Sequence, residues 1–130
     1  MRTPPLILIV EDNPESLDIL RARLTAHNYE VITAVDGEAG LAMAREKQPD
    51  LILLDIMMPK MDGFALAERM RLGGFALPFL FLTARSLKVD VLKGFSLGAI
   101  DYLKKPIDEE ELVVRINTIL TRLTPQKLDA

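Results

Sequence analysis

The chain has 130 residues with 16 Lys and Arg against 19 Asp and Glu, a net charge of −3, and 49% hydrophobic residues. That is the length of one domain and the composition of an ordinary globular core, so disorder and a second domain are excluded, and the acidic balance lacks the basic footprint of nucleic-acid binding. It has no cysteine, which rules out disulfides, thiolate catalysis and zinc–thiolate sites.

Met1-Arg2-Thr3-Pro4-Pro5 leads into only five consecutive aliphatics, too few for a signal-peptide core or for the ~20 residues of a membrane span. A cytoplasmic, membrane-free protein is expected. Leu6 to Val10 forms the first predicted strand and ends in Glu11-Asp12. A helix opens at Asn13-Pro14, because Asn caps well and Pro suits the first helical position; its Leu17, Leu20 and Leu24 share a face. Glu30 to Ala34 is a short second strand. Asp36-Gly37-Glu38 then turns the chain into a helix from Ala39 to Lys47.

Leu51 to Asp55 is the most apolar run and is predicted as the third strand, ending in a carboxylate. After the Met58 to Gly63 loop comes a helix carrying Phe64, Ala67 and Met70, stopped at Gly73-Gly74. The fourth strand starts near Pro78, runs through Phe79-Leu80-Phe81-Leu82 and ends in Thr83-Ala84. A helix from about Leu87 to Leu97 is expected to present Leu92 and Phe95 to the core. The fifth strand, around Ala99 to Leu103, runs into Lys104-Lys105-Pro106. The last helix opens at Asp108 with Glu111 at capping-box spacing, and its apolar stripe is Leu112, Ile116, Ile119, Leu120 and Leu123. Residues 124 to 130 form a polar tail of the kind that begins a linker, so the core is expected over about 6 to 123 of a single domain.

This alternation implies βα units on a mostly parallel sheet, and the uninterrupted apolar character of strands three and four requires helices on both faces. Ligands of such sheets bind outside the carboxyl ends of the strands. Glu11, Asp12, Asp55, Thr83 and Lys105 all stand at those ends. Three carboxylates, a hydroxyl and an ammonium at one edge suit a divalent cation and a phosphoryl group; hard oxygen ligands without His or Cys favour Mg²⁺. Each residue alone has an ordinary explanation, Asp55 as a turn residue, Thr83 as a strand former and Lys105 as a solvated charge. Asp12 is not needed as a cap, since Asn13 serves, and two adjacent carboxylates repel unless a cation compensates. His27 is expected at the surface or in a cap, and Met43, Met57, Met58, Met61 and Met70 as core and loop filler.

Together the stretches Ile9-Val10-Glu11-Asp12-Asn13, Leu54 to Gly63, Leu82-Thr83-Ala84 and Gly98 to Pro106 resemble the response-regulator receiver domain of bacterial two-component signalling, from Leu6 to about Leu123. The resemblance implies a flavodoxin-like (βα)5 three-layer sandwich with parallel strand order 2-1-3-4-5. It implies a phosphoacceptor switch rather than an enzyme: Asp55 takes a phosphoryl group from a histidine kinase or phosphotransfer protein. Mg²⁺ would be held by Asp12, Asp55 and the Met57 backbone carbonyl, with Glu11 acting through a water. Lys105, Thr83 and the Ala84 backbone N–H would hold phosphoryl oxygens, Thr83 and Tyr102 would switch, and Lys105-Pro106 would be cis. The fourth helix, fifth strand and fifth helix would then engage an output domain, a partner or a second copy.

The alternative within the family is a phosphate-conduit module of a hybrid kinase or phosphorelay. Met57 and Arg85, two residues after the acceptor and the threonine, would line the approach of a hydrolytic water. Glu11 stands where the family often has aspartate. Val91 and Ile100 stand where the winged-helix branch has a basic and an acidic residue, although Asp101, Glu111, Arg115 and Arg122 match it. Val91 is expected on the exposed side next to Ile100 and Tyr102, with Leu87 on the same helical face. A haloacid-dehalogenase-type phosphatase wants aspartate at position 57, where this chain has Met, and a phosphorylation-independent receiver-like domain typically lacks the acidic pair, the acceptor or the lysine, all present here.

Overall fold

The computed structural model describes residues 2–85 and 87–123; the polar tail from 124 lies outside the described residues. Five strands alternate with five helices: β1 (Leu6–Val10), α1 (Pro14–Ala26), β2 (Glu30–Ala34), α2 (Gly37–Lys47), β3 (Leu51–Leu54), α3 (Gly63–Leu72), β4 (Phe79–Thr83), α4 (Lys88–Ser96), β5 (Asp101–Lys104) and α5 (Glu109–Leu123). The strands pair in parallel in the order β2-β1-β3-β4-β5, as the resemblance implied.

Every residue of β1, β3 and β4 is buried, because successive side chains enter opposite layers. Leu8, Val10, Ile52, Leu54, Phe79 and Phe81 pack with Ala44 of α2 and with Phe64, Leu66, Ala67 and Met70 of α3. Ile7, Ile9, Leu51, Leu53, Leu80 and Leu82 pack with Leu17 and Leu24 of α1 and with Leu112, Ile116, Ile119 and Leu120 of α5. The sheet therefore divides two cores, and either one would be lost without its helices.

Local signals set the helix starts. Asn13 Oδ1 accepts the backbone N–H groups of Glu15 and Ser16 at 3.0 and 3.1 Å, with Pro14 in the first position of α1. Asp36, Asp62 and Asp108 accept from residues three further on at 2.7, 2.8 and 3.0 Å. The Asp36 cap starts α2 at Gly37, two residues earlier than the sequence suggests. His27 caps the C-terminus of α1, its backbone N–H on Leu24 and Thr25 carbonyls. The Lys105–Pro106 bond is cis.

α4 departs from expectation. Its buried residues are Asp90 and Gly94, whereas Leu92 and Phe95 are 59% and 46% exposed rather than turned to the core. Gly94 explains this, because a Cβ there would stand 3.0 Å from Tyr102 Cδ2 and 3.1 Å from Phe81 Cδ2. The helix lies on those rings through its glycine, which rotates its large apolar side chains outward. Val91 is in turn half-buried instead of exposed, while Leu87 and Ile100 do face solvent. Leu123, expected on the apolar stripe of α5, is exposed at the last turn, and Met57 is exposed where the other four methionines named above pack as filler.

Candidate functional site

Register brings the strand ends to one edge. Val10 is paired with Leu54 and Leu54 with Phe81, so Glu11 and Asp55 follow side by side; Thr83 is paired with Lys104, so Lys105 comes next. The Asp55 backbone N–H donates to the Val10 carbonyl at 3.0 Å, and the Lys105 N–H to the Thr83 carbonyl at 2.8 Å. The loop after Asp55 folds back directly on it: a Cβ on Gly63 would lie 2.4 Å from the Asp55 carbonyl oxygen, so only glycine permits that approach. Lys60 takes a positive φ of 68° in the same loop.

Asp55 is buried at 9% exposure, and its Oδ1 accepts the Met57 backbone N–H at 3.1 Å. Its Oδ2 accepts from Lys105 Nζ at 3.2 Å, and the same ammonium donates to Glu11 Oε1 at 2.6 Å. The other Glu11 oxygen, Oε2, is buried with no hydrogen-bond partner among the described residues. Burial first, then the contact with Asp55, push the Glu11 carboxyl up to about 7, with Lys105 opposing. Burial pulls the Lys105 ammonium down, but its bond to Glu11 and the charge of Asp55 outweigh that and raise it.

Glu11, Asp12 and Asp55 each offer an oxygen within 4.8 Å of the others, and Asp12 is exposed at the rim. An orphaned buried carboxylate oxygen in an all-oxygen set fits a hard divalent cation, whose bound water would satisfy it and whose charge would relieve the repulsion between the acids. Thr83 is fully buried, and its Oγ1 accepts the Arg85 backbone N–H at 3.2 Å. Ala84, next to it, is exposed and lines a groove of about 550 Å³ with Ser16, Ile19, Arg23, Lys105 and Pro106. Tyr102 is half-buried, its ring 5.9 Å from Phe81 and its hydroxyl donating to the Arg85 carbonyl at 2.7 Å. Burial raises that hydroxyl, and the charge of Asp90 adds to it.

Glu11, Asp12, Asp55 and Lys105 thus come together, with Thr83 at the neighbouring strand end, and His27 stands apart, 3.7 Å from Glu109 at the α1–α5 contact. Sequence reasoning missed Asp90. It is buried at 6% exposure in the first turn of α4 and takes Arg85 Nη2 at 2.8 Å. An aspartate in a first helical turn is ordinarily a solvated partner of the helix dipole, so nothing local marks it. Arg85, assigned in sequence to the water approach, has its guanidinium bonded to Asp90 and 5.6 Å over the Phe64 ring.

A family model described as the response regulator receiver domain matches residues 7–117. The transcriptional regulatory protein RprY of Bacteroides fragilis is 44% identical over 93% of this chain and 51% of its own length. The alkaline phosphatase synthesis transcriptional regulatory protein PhoP of Bacillus subtilis is 40% identical over 89% of this chain and 48% of its own length. The chain spans about half the length of these curated relatives. Among solved structures, the beryllofluoride-activated receiver domain of Klebsiella pneumoniae RstA superposes with TM-score 0.83 at 31% identity, covering 88% of this chain and 97% of that one. Vibrio cholerae chemotaxis protein CheY4 gives 0.83 at 30% identity over 88% and 98%. With the strand order, the acidic edge and these matches in agreement, the chain belongs to the response regulator receiver domains of two-component systems.

Proposed function

We propose that this chain is a phosphoacceptor switch: Asp55 receives a phosphoryl group from a histidine kinase or phosphotransfer protein, and the change at Asp55 is transmitted to the face made by α4, β5 and α5. The observation that carries this reading is the single ammonium of Lys105 held between Glu11 and Asp55 beside a buried hydroxyl at the next strand end.

A carboxylate oxygen of Asp55 attacks phosphorus; the phosphorus–nitrogen bond of the donor breaks, and the imidazole leaves with the electron pair. Mg²⁺ is the group that Asp12, Asp55 and the Met57 carbonyl would hold, with Glu11 at one remove, and when bound it neutralises phosphoryl charge. Lys105 supplies a second positive charge as a point contact, leaving Glu11 for a phosphoryl oxygen. The Thr83 hydroxyl and the Ala84 backbone N–H donate to the remaining oxygens. Positioning and charge neutralisation supply the catalysis, as in phosphoryl transfer generally. The open groove between α1 and the connection that follows Lys105 offers a donor a place to dock beside Lys105.

Curated relatives of about twice this length are named transcriptional regulators, which favours an output switch over a phosphate conduit. Acetyl phosphate with Mg²⁺ is expected to add one phosphoryl group by intact mass, and Asp55→Ala to abolish it. Full labelling of the variant would sink the assignment.

A further inference from the structure

The chain has no cysteine, so methionine carries all of its sulfur. Met58 and Met70 are buried at 7% and 3% exposure, and Met43 and Met61 are partly buried against the core formed with α2 and α3. Met57 is the exception among the described residues, with 58% of its surface open to solvent. The same residue is anchored to Asp55. Its backbone N–H donates to Asp55 Oδ1 at 3.1 Å, so its Cα lies no more than about 4.6 Å from that oxygen, given an N–Cα bond of about 1.46 Å. An accessible, oxidisable thioether is thus rooted close to the carboxylate assigned to carry the phosphoryl group, and phosphoryl transfer makes no use of its sulfur.

We propose that Met57 is an oxidation site whose conversion to the sulfoxide shortens the life of the phosphoryl group on Asp55. The inference rests on the phosphoacceptor reading above and adds a chemical control on how long the phosphorylated form lasts. Hydrogen peroxide or a related peroxide is the oxidant required. The sulfur attacks one peroxide oxygen, the O–O bond breaks as the S–O bond forms, and a proton passes to the departing hydroxide, which leaves as water. Sulfur is oxidised and the peroxide reduced. The product exchanges a flexible apolar side chain for a polar one that carries a hydrogen-bond acceptor. Loss of the phosphoryl group needs water at phosphorus. The water oxygen attacks, the bond to the Asp55 oxygen breaks with its electron pair returning to the carboxylate, and dihydrogen phosphate leaves with both water protons. A thioether rooted this close to Asp55 offers water no partner, whereas a sulfoxide oxygen accepts an O–H from it and holds it within reach of phosphorus. Burial shields the other described methionines, so the effect centres on one residue.

Treatment with hydrogen peroxide, followed by its removal, is expected to add one oxygen atom first at Met57, located by peptide mass mapping. After labelling with acetyl phosphate and Mg²⁺, the oxidised protein should lose its label roughly fivefold faster than the untreated protein, equivalent to about 1 kcal/mol of barrier. Methionine sulfoxide reductases acting on both sulfoxide epimers should restore the original decay. Met57→Leu keeps an apolar side chain and has no sulfur; each preparation is compared with itself, and peroxide should leave the decay of this variant as it was. First oxidation at another methionine, an unchanged or slower decay in the oxidised parent, or an equal acceleration in Met57→Leu overturns the proposal. A parent protein that takes no label overturns the phosphoacceptor reading and this coupling together, whereas a labelled protein whose decay ignores oxidation overturns the coupling alone.

Discussion

Lys105 touches two acids at once, and that arrangement determines what each carboxylate can do. Asp55 is held by the ammonium and the Met57 N–H, while one buried Glu11 oxygen has no hydrogen-bond partner among the described residues. On the proposed reading, a cation and a phosphoryl group would complete this charge balance. On the proposed reading, water would compete once Asp55 carried a phosphoryl group, and Met57, 58% exposed, stands two residues on with an apolar side chain. Met57→Asn, with an amide able to hold water, is expected to shorten the lifetime of the phosphoryl group by roughly fivefold, equivalent to about 1 kcal/mol of barrier. Decay of label after removal of acetyl phosphate measures this; an unchanged or slower decay would refute the steric account.

At the scale of elements, α4 is the part whose setting matters most. Gly94 lets it lie on Phe81 and Tyr102, so Gly94→Ala forces a methyl group into contacts near 3.0 Å. A cost of about 1–3 kcal/mol is expected, read as a lowered melting temperature. The same packing leaves Leu92 and Phe95 exposed on α4 and Ile100 exposed just before β5, with Val114 on α5 and the ion pair of Arg115 with Asp101 at 2.8 Å on that face. Scattered apolar residues are normal at a surface, but several on the face made by α4, β5 and α5 suit, on the proposed reading, an assembly that forms on activation. Sedimentation with beryllofluoride is expected to show association that Leu92→Asp or Phe95→Asp weakens about tenfold or more, since burying each side chain is worth roughly 1.5–3 kcal/mol. Equal assembly of both variants would make the patch irrelevant. Val91 is unsuited to the test, because it is half-buried and its replacement by Asp would disturb packing.

For the whole molecule, the acidic edge couples folding to pH. Glu11 titrates near 7 when folded, against 4.5 for the free side chain, so the folded state binds the extra proton between those values. Stability without metal should therefore fall as pH rises from about 4.5 to 7, by no more than about 3 kcal/mol. Lys105 acts in the opposite range: its raised value contributes stability that is lost only at strongly alkaline pH. Glu11→Gln, in the presence of a chelator, is expected to flatten the profile between pH 4.5 and 7 in thermal melts. A slope as steep as the parent's would place the titration elsewhere.

Much of this was legible along the chain. Four apolar runs ending in Glu11-Asp12, Asp55, Thr83 and Lys104-Lys105, a shorter run over Glu30 to Ala34, and Asn13 and Asp108 as helix caps determined the βα alternation and the residues of the candidate site, because strand burial and capping are local physics, whereas the caps at Asp36 and Asp62 emerged from the structure. What depended on tertiary structure was pairing and rotation. Lys105 reaches Glu11 across 94 positions and Asp55 across 50, so no local pattern reveals that one ammonium serves both acids. Leu92 and Phe95 have helical spacing suited to a core face, yet the close approach of Gly94 to Phe81 and Tyr102 turned that face outward and drew Asp90 inside to meet Arg85. Periodicity says which residues of a helix share a face; which face is buried is decided by the shapes it meets, and those come from strands far away in sequence.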